Sequence, residues 1–393
     1  MTQKTLNIGL IGSGFMGQAH ADAYRRTALL YRDLPMILHM HTLADINAEH
    51  AKTTAERFGF AHATDNWRTM INHPDIDVVD ITTPNALHFE MAMAAIQAGK
   101  HVYCEKPLTV SLDDAQALAT AARQAGVKTM VAFNNVKTPA ALLAKQLIER
   151  GDIGTPTRFR GWFDQGFFND PEMPWSWRCS RQEAGSGALG DLGSHVISVA
   201  QFLMGSFESV IGQEQSFFTT RPAPGSGSGY AASVDQTAVH RTVENEDQFQ
   251  SLIRFSNGAG GVIEASRIAA GKIFGISWEI SGTNGTIMMD GERFNELKIA
   301  RYSDAKADRG FKTILAGSQV PQFRGFFGFD FAGGGLGYFD VKVIEIHDLI
   351  MGVSGQPGCF PDFQFGLENQ QIIEAMLHSV QSGGRVRVGS QPQ

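Results

Sequence analysis

Gly9-Leu10-Ile11-Gly12-Ser13-Gly14-Phe15-Met16-Gly17 carries a short apolar run into three spaced glycines. Leu6–Ile11 reads as a buried strand, and the stretch beyond the glycines, through about Ala28, as a helix. Gly12, Gly14 and Gly17 fit G-x-G-x-x-G in the strand–turn–helix order that the pattern requires. Gly12 permits the tight turn, Gly14 lets the backbone approach a pyrophosphate, and Gly17 lets the helix pack closely on the strand. The helix's first N–H groups then face the phosphates. The stretch therefore predicts the opening unit of a dinucleotide-binding sheet.

Outward from it, strands and helices alternate to about residue 133. His41–Ala44 reads as a second strand, with Leu29–Leu38 an extended connection before it, and Ala48–Phe58 as a helix. Val78–Thr82, a helix from about Leu87 to Ala98, His101–Cys104, a helix over Leu112–Ala125 and Thr129–Phe133 complete the series. Such alternation implies a parallel sheet covered on both faces. Beyond residue 134, Ala140–Arg150 and Leu192–Met204 read as helices among strands that favour antiparallel pairing. Gln248–Phe255 and Gly261–Ile268 flank Asn257-Gly258, and Ile276–Ser281 and Thr286–Met289 flank Asn284-Gly285, both hairpin turn sequences. The expected fold is α/β. A doubly wound Rossmann domain spans 1–133, and a substrate and oligomerisation domain with an open, mainly antiparallel sheet spans 134–393. An apolar outer face on that sheet would need covering, which points to a homodimer or homotetramer. Pro222–Gly229 reads as a flexible surface insertion.

Composition narrows the function classes. Among 393 residues, 43% are hydrophobic and 19% charged, the balance of a globular protein large enough for two domains. A net charge of −7 without blocks of one sign gives no reason to expect nucleic acid or an anionic membrane as partner. Cys104, Cys179 and Cys359 are far apart, which favours free thiols in a reducing compartment. No signal-peptide pattern follows Met1, and no apolar run approaches the ~20 residues that span a bilayer. A cytoplasmic protein is expected.

An acid at the end of the second strand should read the ribose, and Asp45 is the candidate. Its carboxylate would accept bonds from both ribose hydroxyls and repel a 2′-phosphate. No arginine follows directly, so NAD is favoured over NADP. The alternative for Asp45 is a helix cap for Ala48–Phe58, and the two roles are compatible.

Glu105-Lys106-Pro107 follows a strand, at the carboxyl edge where doubly wound sheets bind ligands. Lys106 stands where the nicotinamide end should lie, the plain alternative being a surface lysine. Asp191 and His195 are spaced i, i+4 and share a face if helical, after a glycine-rich lead-in from Gly185 to Gly190. They could also be a capping acid and a buried histidine bonded to it. As metal ligands they would be only two, and no third or fourth stands at metal spacing, so no metal is expected.

Ile81-Thr82-Thr83-Pro84-Asn85-Ala86-Leu87-His88, Ala98–Pro107 and Gly187–His195 resemble the signatures of the Gfo/Idh/MocA oxidoreductases, along essentially the whole chain. The resemblance implies that Lys106, Asp191 and His195 are catalytic. It implies cofactor contacts from Gly12, Gly14, Phe15, Met16, Asp45, Ile46, Thr83, Pro84, Asn85, His88, Glu105, Lys106, Asn134, Trp177 and Arg178. Substrate contacts would come from Lys106, Asn135, Phe163, Gln165, Arg178, Asp191 and His195. Ser198 stands where the later motif often continues to an acid, and Asn134-Asn135-Val136 replaces a common Asn-Tyr-Arg; both departures bear on substrate contacts. In the implied reaction, His195 takes the proton of a hydroxyl whose carbon gives hydride to NAD, and Lys106 steadies the oxygen.

Trp162, Phe163, Phe167, Phe168, Trp175 and Trp177 precede Arg178. Aromatic faces suit the C–H face of a sugar or cyclitol ring, with core packing the alternative for most of them. Asp164, Gln165, Asn134 and Asn135 add groups suited to several hydroxyls. Within the family, Pro174–Arg178 and Ala184–Asp191 resemble inositol dehydrogenases and related sugar dehydrogenases. Oxidation of scyllo- or myo-inositol to a ketoinositol comes first, with a hexopyranose such as glucose as a related substrate. A levoglucosan or glucoside 3-dehydrogenase is the second reading, and a dinucleotide-binding regulator without turnover the reading from another class.

Overall fold

The computed structural model describes residues 3–389 apart from 33, 226–238, 274, 319, 321–322, 324–325 and 327–334. The chain divides into two compact units, one of 1–137 with 321–370, the other of 138–320 with 371–393.

The first unit holds a six-stranded parallel sheet of β1 (Thr5–Ile11), β2 (Ile37–Ala44), β3 (His62–Thr64), β4 (Val78–Ile81), β5 (His101–Cys104) and β6 (Thr129–Val131). Its order is β3-β2-β1-β4-β5-β6, so the strand order reverses between β1 and β4, beside the glycine turn. Helices α1 (Phe15–Leu30), α2 (Ala48–Phe58), α3 (Trp67–Ile71), α4 (His88–Gln97) and α5 (Leu112–Ala125) connect the strands. Local chemistry sets their limits. Asn47 caps α2 by accepting from His50 N, and Gly59 ends it at φ +83°. Ser111 caps α5, Asp113 and Asp114 complement its N-terminal dipole, and Gly126 closes it at φ +67°. Ile11, Val79, Ile81, Val102 and Val131 pack with α4 and α5 on one face. Leu6, Ile8, Val78 and Tyr103 pack with α1 and the helix Asp340–Val353 on the other.

The second unit carries a nine-stranded sheet in the order Lys312–Leu315, Glu296–Arg301, Gly285–Met289, Gly275–Gly282, Pro156–Asp164, Gly260–Ser266, Gln248–Phe255, Phe207–Gln215 and Val386–Arg387. Every pairing is antiparallel except Gly260–Ser266 with Pro156–Asp164. The α/β class with a parallel sheet and a mainly antiparallel one is thus as expected. Both predicted hairpins form, at Asn257-Gly258 and Asn284-Gly285.

Several boundaries differ from the sequence reading. α1 continues to Leu30 and β2 begins at Ile37, so the extended connection shrinks to 31–36. The outer half of β2 is solvated, and its apolar residues gave no strand-like run. β3 and α3 were not foreseen, because three and five residues are too few for a periodic pattern. The chain also returns to the first unit at 321–370, where Phe363 and Leu367 join the core under α4 and α5. Of the insertion read at Pro222–Gly229, Pro222 ends a strand paired with His240–Thr242, and 226–229 lie outside the described residues.

Candidate active site

The first unit supplies the turn. Gly12 lies at φ +96°, and a Cβ on Gly17 would stand 2.0 Å from the Gly12 carbonyl oxygen. A Cβ on Gly14 would meet nothing within 4 Å, so this side of the turn is open to a ligand. Gly14 precedes α1 with no side chain capping the helix, leaving its first N–H groups for an anion. Asp45 Oδ2 accepts from Ser13 N at 2.9 Å and from Ser13 Oγ at 2.5 Å. Of the two roles read for Asp45, the cap of α2 falls to Asn47. Phe15 and Ile46 expose 64% and 96% of their surfaces beside the turn, apolar groups available to a flat ring. These residues fit a dinucleotide.

Thr83, Pro84 and Asn85 follow β4, and Glu105-Lys106-Pro107 follows β5, at the same carboxyl edge of the sheet. His88 joins the two loops, Nδ1 lying 2.9 Å from the Pro107 carbonyl and Nε2 2.9 Å from that of Thr83. It is wholly buried, so the structure brings it in as the tie between the loops. Burial pushes its pKa below the ordinary value despite the two carbonyls. The Lys106–Pro107 peptide is cis, and Lys106 is half-buried. Lys106 N donates to Glu105 Oε2 at 3.1 Å. Asn134 is buried just past β6, with the Tyr338 hydroxyl beside its amide, and Asn135 is buried next to it.

Behind Lys106 lies a buried charge network that the sequence reading missed. His20 bridges Asp80 at 2.9 Å and Glu105 at 3.0 Å, while Lys342 bridges Glu105 at 2.7 Å and Glu345 at 3.2 Å. Tyr103 donates to Glu345 at 2.8 Å. Burial disfavours charge on His20, yet Asp80 and the bonds to both carboxylates outweigh it and raise its pKa to about 8. Burial likewise opposes ionisation of Glu105, but Lys342 and His20 hold its pKa well below the usual carboxylate range. Burial pushes the Glu345 carboxyl up, against the pull of Lys342.

The second unit supplies the other group. Asp191 lies in a π-helical turn, Leu189–Gly193, that runs straight into the helix Ser194–Met204, and His195 sits in that helix's first turn. The i, i+4 pair is therefore on a helical segment, as expected, but with a locally widened turn, a form frequent at functional sites. Arg178 Nε donates to Asp191 Oδ2 at 3.3 Å, and its guanidinium stacks 4.3 Å from the Trp177 ring. His195 is buried and packs edge-on against Phe163, ring centroids 5.7 Å apart. Gln165 is half-buried at the end of the strand Pro156–Asp164.

Residues between Asn245 and Asp247, with Arg267, hold this group in place. Glu246 is buried and accepts from Gly187 N at 2.8 Å and Leu189 N at 2.9 Å, anchoring the start of the π turn. A Cβ on Gly187 would stand 2.0 Å from the Glu246 carbonyl oxygen, so the lead-in glycine serves this close approach. Asn245 Nδ2 donates to the Arg178 carbonyl at 2.9 Å, and Arg267 bridges Asp247 at 3.1 Å. Of the aromatic stretch, Phe168 is core, under the guanidinium groups of Arg221 and Arg267, and Trp175 stacks beneath Arg241.

A glycine turn on a doubly wound sheet, with a separate antiparallel-sheet unit carrying an acid, an imidazole and a guanidinium, defines a two-domain dinucleotide-dependent oxidoreductase. Residues 6–133 match the model of an oxidoreductase family with an NAD-binding Rossmann fold, and residues 141–288 match the GFO/IDH/MocA C-terminal domain. The chain is 40% identical to levoglucosan dehydrogenase of Pseudarthrobacter phenanthrenivorans over 96% of each chain. A crystal structure of an NAD binding oxidoreductase from Klebsiella pneumoniae superposes with a TM-score of 0.92 at 61% identity, covering 98% of this chain and 100% of that one. Levoglucosan dehydrogenase in complex with NADH and L-sorbose gives a TM-score of 0.92 at 39% identity, covering 99% and 100%. Myo-inositol 2-dehydrogenase of Thermotoga maritima is 27% identical over 79% of this chain and 81% of its own. The chain belongs to the Gfo/Idh/MocA family and is an NAD-dependent sugar or cyclitol dehydrogenase. No helix among the described residues is long and apolar enough to cross a membrane.

Proposed function

We propose that the protein oxidises one ring secondary hydroxyl of a pyranoside, at C3, with levoglucosan the first substrate to test. The observation that carries this reading is the 40% identity, over nearly the full length of both chains, to a levoglucosan dehydrogenase. It reverses the order taken from the motifs alone, which put scyllo- or myo-inositol first. The inositols stand as the second reading, because the groups around Arg178 suit any neutral ring polyol. The expected result of a panel with NAD is NADH formation fastest with levoglucosan, measured as kcat/KM against myo-inositol, scyllo-inositol, glucose and methyl glucosides. A higher kcat/KM for either inositol would return that reading to first place. Failure of every member would favour a binding protein without turnover.

Bound NAD supplies the hydride acceptor. The α1 N–H groups would hold its pyrophosphate, Phe15, Met16 and Ile46 would flank the adenosine, and Asp45 would accept from the ribose hydroxyls. Thr83–Asn85 and Asn134 on the first unit, and Trp177 and Arg178 on the second, would be its further contacts. On the substrate, His195 takes the proton of the reacting hydroxyl, and the Lys106 ammonium donates to the same oxygen as negative charge develops there. Asp191, held by Arg178, orients the substrate or the imidazole, while Phe163, Gln165 and Asn135 set the ring. A cytoplasmic homodimer or homotetramer completes the reading, and light scattering after gel filtration measures its size.

Asp45→Ala tests the cofactor side. Losing charge-assisted bonds to the ribose weakens NADH binding by about 10–100-fold and narrows the preference over NADPH. Fluorescence titration with both nucleotides reads this directly; an unaltered NADH affinity would remove Asp45 from the ribose.

A further inference from the structure

Four imidazoles gather on and beside β2: His39 and His41 on the strand, His62 opposite Thr42 on β3, and His73 just after α3. His41 stands four residues, about 13 Å of strand, before Asp45, the residue read for the ribose. None has a part in the site above. Among the described residues, His41, His73 and Asp75 offer three ligand atoms that all lie within 4.8 Å of one another. The His62 ring is 5.0 Å from that of His41, and the His39 ring 5.6 Å. We propose that this cluster is a binding site for a borderline divalent transition-metal ion, with His41, His73 and Asp75 as ligands and Zn²⁺ the ion to test.

The backbone arranges it. Ile8 pairs with Met40 and Gly9 with Thr42, so His41 is the extra residue of a β-bulge. A bulge re-aims a side chain out of the regular alternation, and here the His41 ring meets the His73 ring with centroids 4.8 Å apart. His41 Nδ1 lies 2.8 Å from Thr42 Oγ1, which leaves Nε2 as the ligand atom. An outer partner on one ring nitrogen is the usual support of a metal-binding imidazole. His39 is oriented the same way, with Nδ1 2.7 Å from Asn7 Oδ1, and so keeps Nε2 for the same neighbourhood.

The donor set selects the ion. Two imidazoles and one carboxylate match zinc and its transition-metal neighbours, whereas magnesium and calcium take oxygen ligands. Tetrahedral zinc with bonds of about 2.0–2.1 Å keeps its ligand atoms about 3.4 Å apart. Closing from 4.8 Å asks for movements of about 1 Å, and half-buried His73 and exposed Asp75 have the freedom to make them. The fourth position falls to water or to His62. Such an ion would tie β2 to the 72–77 segment between α3 and β4 and act as a structural clamp. Spacing alone concealed the site, because its ligands come from separate segments between 41 and 75.

The test uses the full-length, tag-free protein stripped with chelator and titrated with Zn²⁺ by calorimetry and chelator competition. One equivalent binds, and an excess of about 100 times Kd raises the Tm by about 5–10 °C. Co²⁺ in place of zinc gives the visible absorption of a tetrahedral nitrogen–oxygen site. His73→Ala, at the rim, retains the wild-type circular dichroism and NADH affinity but weakens zinc by at least the ~10-fold that losing an outer partner costs. Asp75→Asn, at an exposed position, is the second variant and weakens it too. Zinc binding of equal strength in wild type and both variants, or no stoichiometric binding at all, overturns the proposal.

Discussion

Replacing His195 with alanine lowers kcat by about 10²–10⁴-fold, the share that a positioned general base contributes. NADH affinity stays at the wild-type value, because the proposed partner of His195 is the substrate hydroxyl and not the cofactor. The loss falls on kcat and kcat/KM together, as it does when an interaction made only in the transition state is removed. The limb of the pH–rate profile that reports the free enzyme's base disappears with the imidazole, and added hydroxide or imidazole recovers part of the rate. A structural role gives a different pattern. His195 packs edge-on against Phe163, and if that contact were its whole part, His195→Gln would lose substrate affinity with little change in kcat or its pH profile. Near wild-type turnover in His195→Ala would remove the residue from proton transfer, and Lys106 would be the next candidate.

The parts of the site that were legible in the sequence are those a backbone motif encodes. Gly12, Gly14 and Gly17 each answer a local requirement, and the structure shows it in the positive φ, the open side and the 2.0 Å approach. The positions of Glu105-Lys106-Pro107 at a strand end and of Asp191 with His195 on a helical segment were legible too, whereas the roles proposed for them came from the resemblance. Residues that act from the opposite side of an element were not legible. Glu246 stands before the strand Gln248–Phe255 in a run, Glu244–Asp247, that carries no periodic or turn pattern, yet it anchors the π turn beneath Asp191. Lys342 and Glu345 lie more than 230 positions from Glu105 along the chain, and only the return of 321–370 to the first unit brings them together. A charged residue in an apolar helix such as Asp340–Val353 is a signal of buried pairing, but its partner cannot be named from one chain's spacing. In the aromatic stretch the core-packing alternative holds for Phe168, and Trp175 stacks beneath Arg241, while Phe163 faces His195.

Lys342→Met destabilises the first unit by about 3–5 kcal/mol, the range for leaving a buried ion unpaired. Methionine fills the volume, so the loss is one of charge: among the described residues Glu345 loses its ion-pair partner, and Glu105 keeps only His20. Glu105 also accepts from the Lys106 backbone N–H, so the same variant loosens the loop that carries Lys106. Urea unfolding should show the destabilisation, and Lys342→Met combined with Glu105→Gln should lose less than the two single changes added together. Stability within 1 kcal/mol of wild type would mean that the network carries little of the fold. The network also makes a pH prediction. His20 is raised from 6.5 to about 8 in the folded protein, so folding takes up a proton there between those values. Its stabilising contribution, on the order of 2 kcal/mol, is fully present below pH 6.5 and is lost as pH rises through about 8. Asp80→Asn removes the charge that holds His20 protonated, so the fall in stability across that window should flatten in the variant. A wild-type protein whose stability stays level from pH 6.5 to 9, with Asp80→Asn unchanged in slope, would show that His20 is neutral and the pair uncharged.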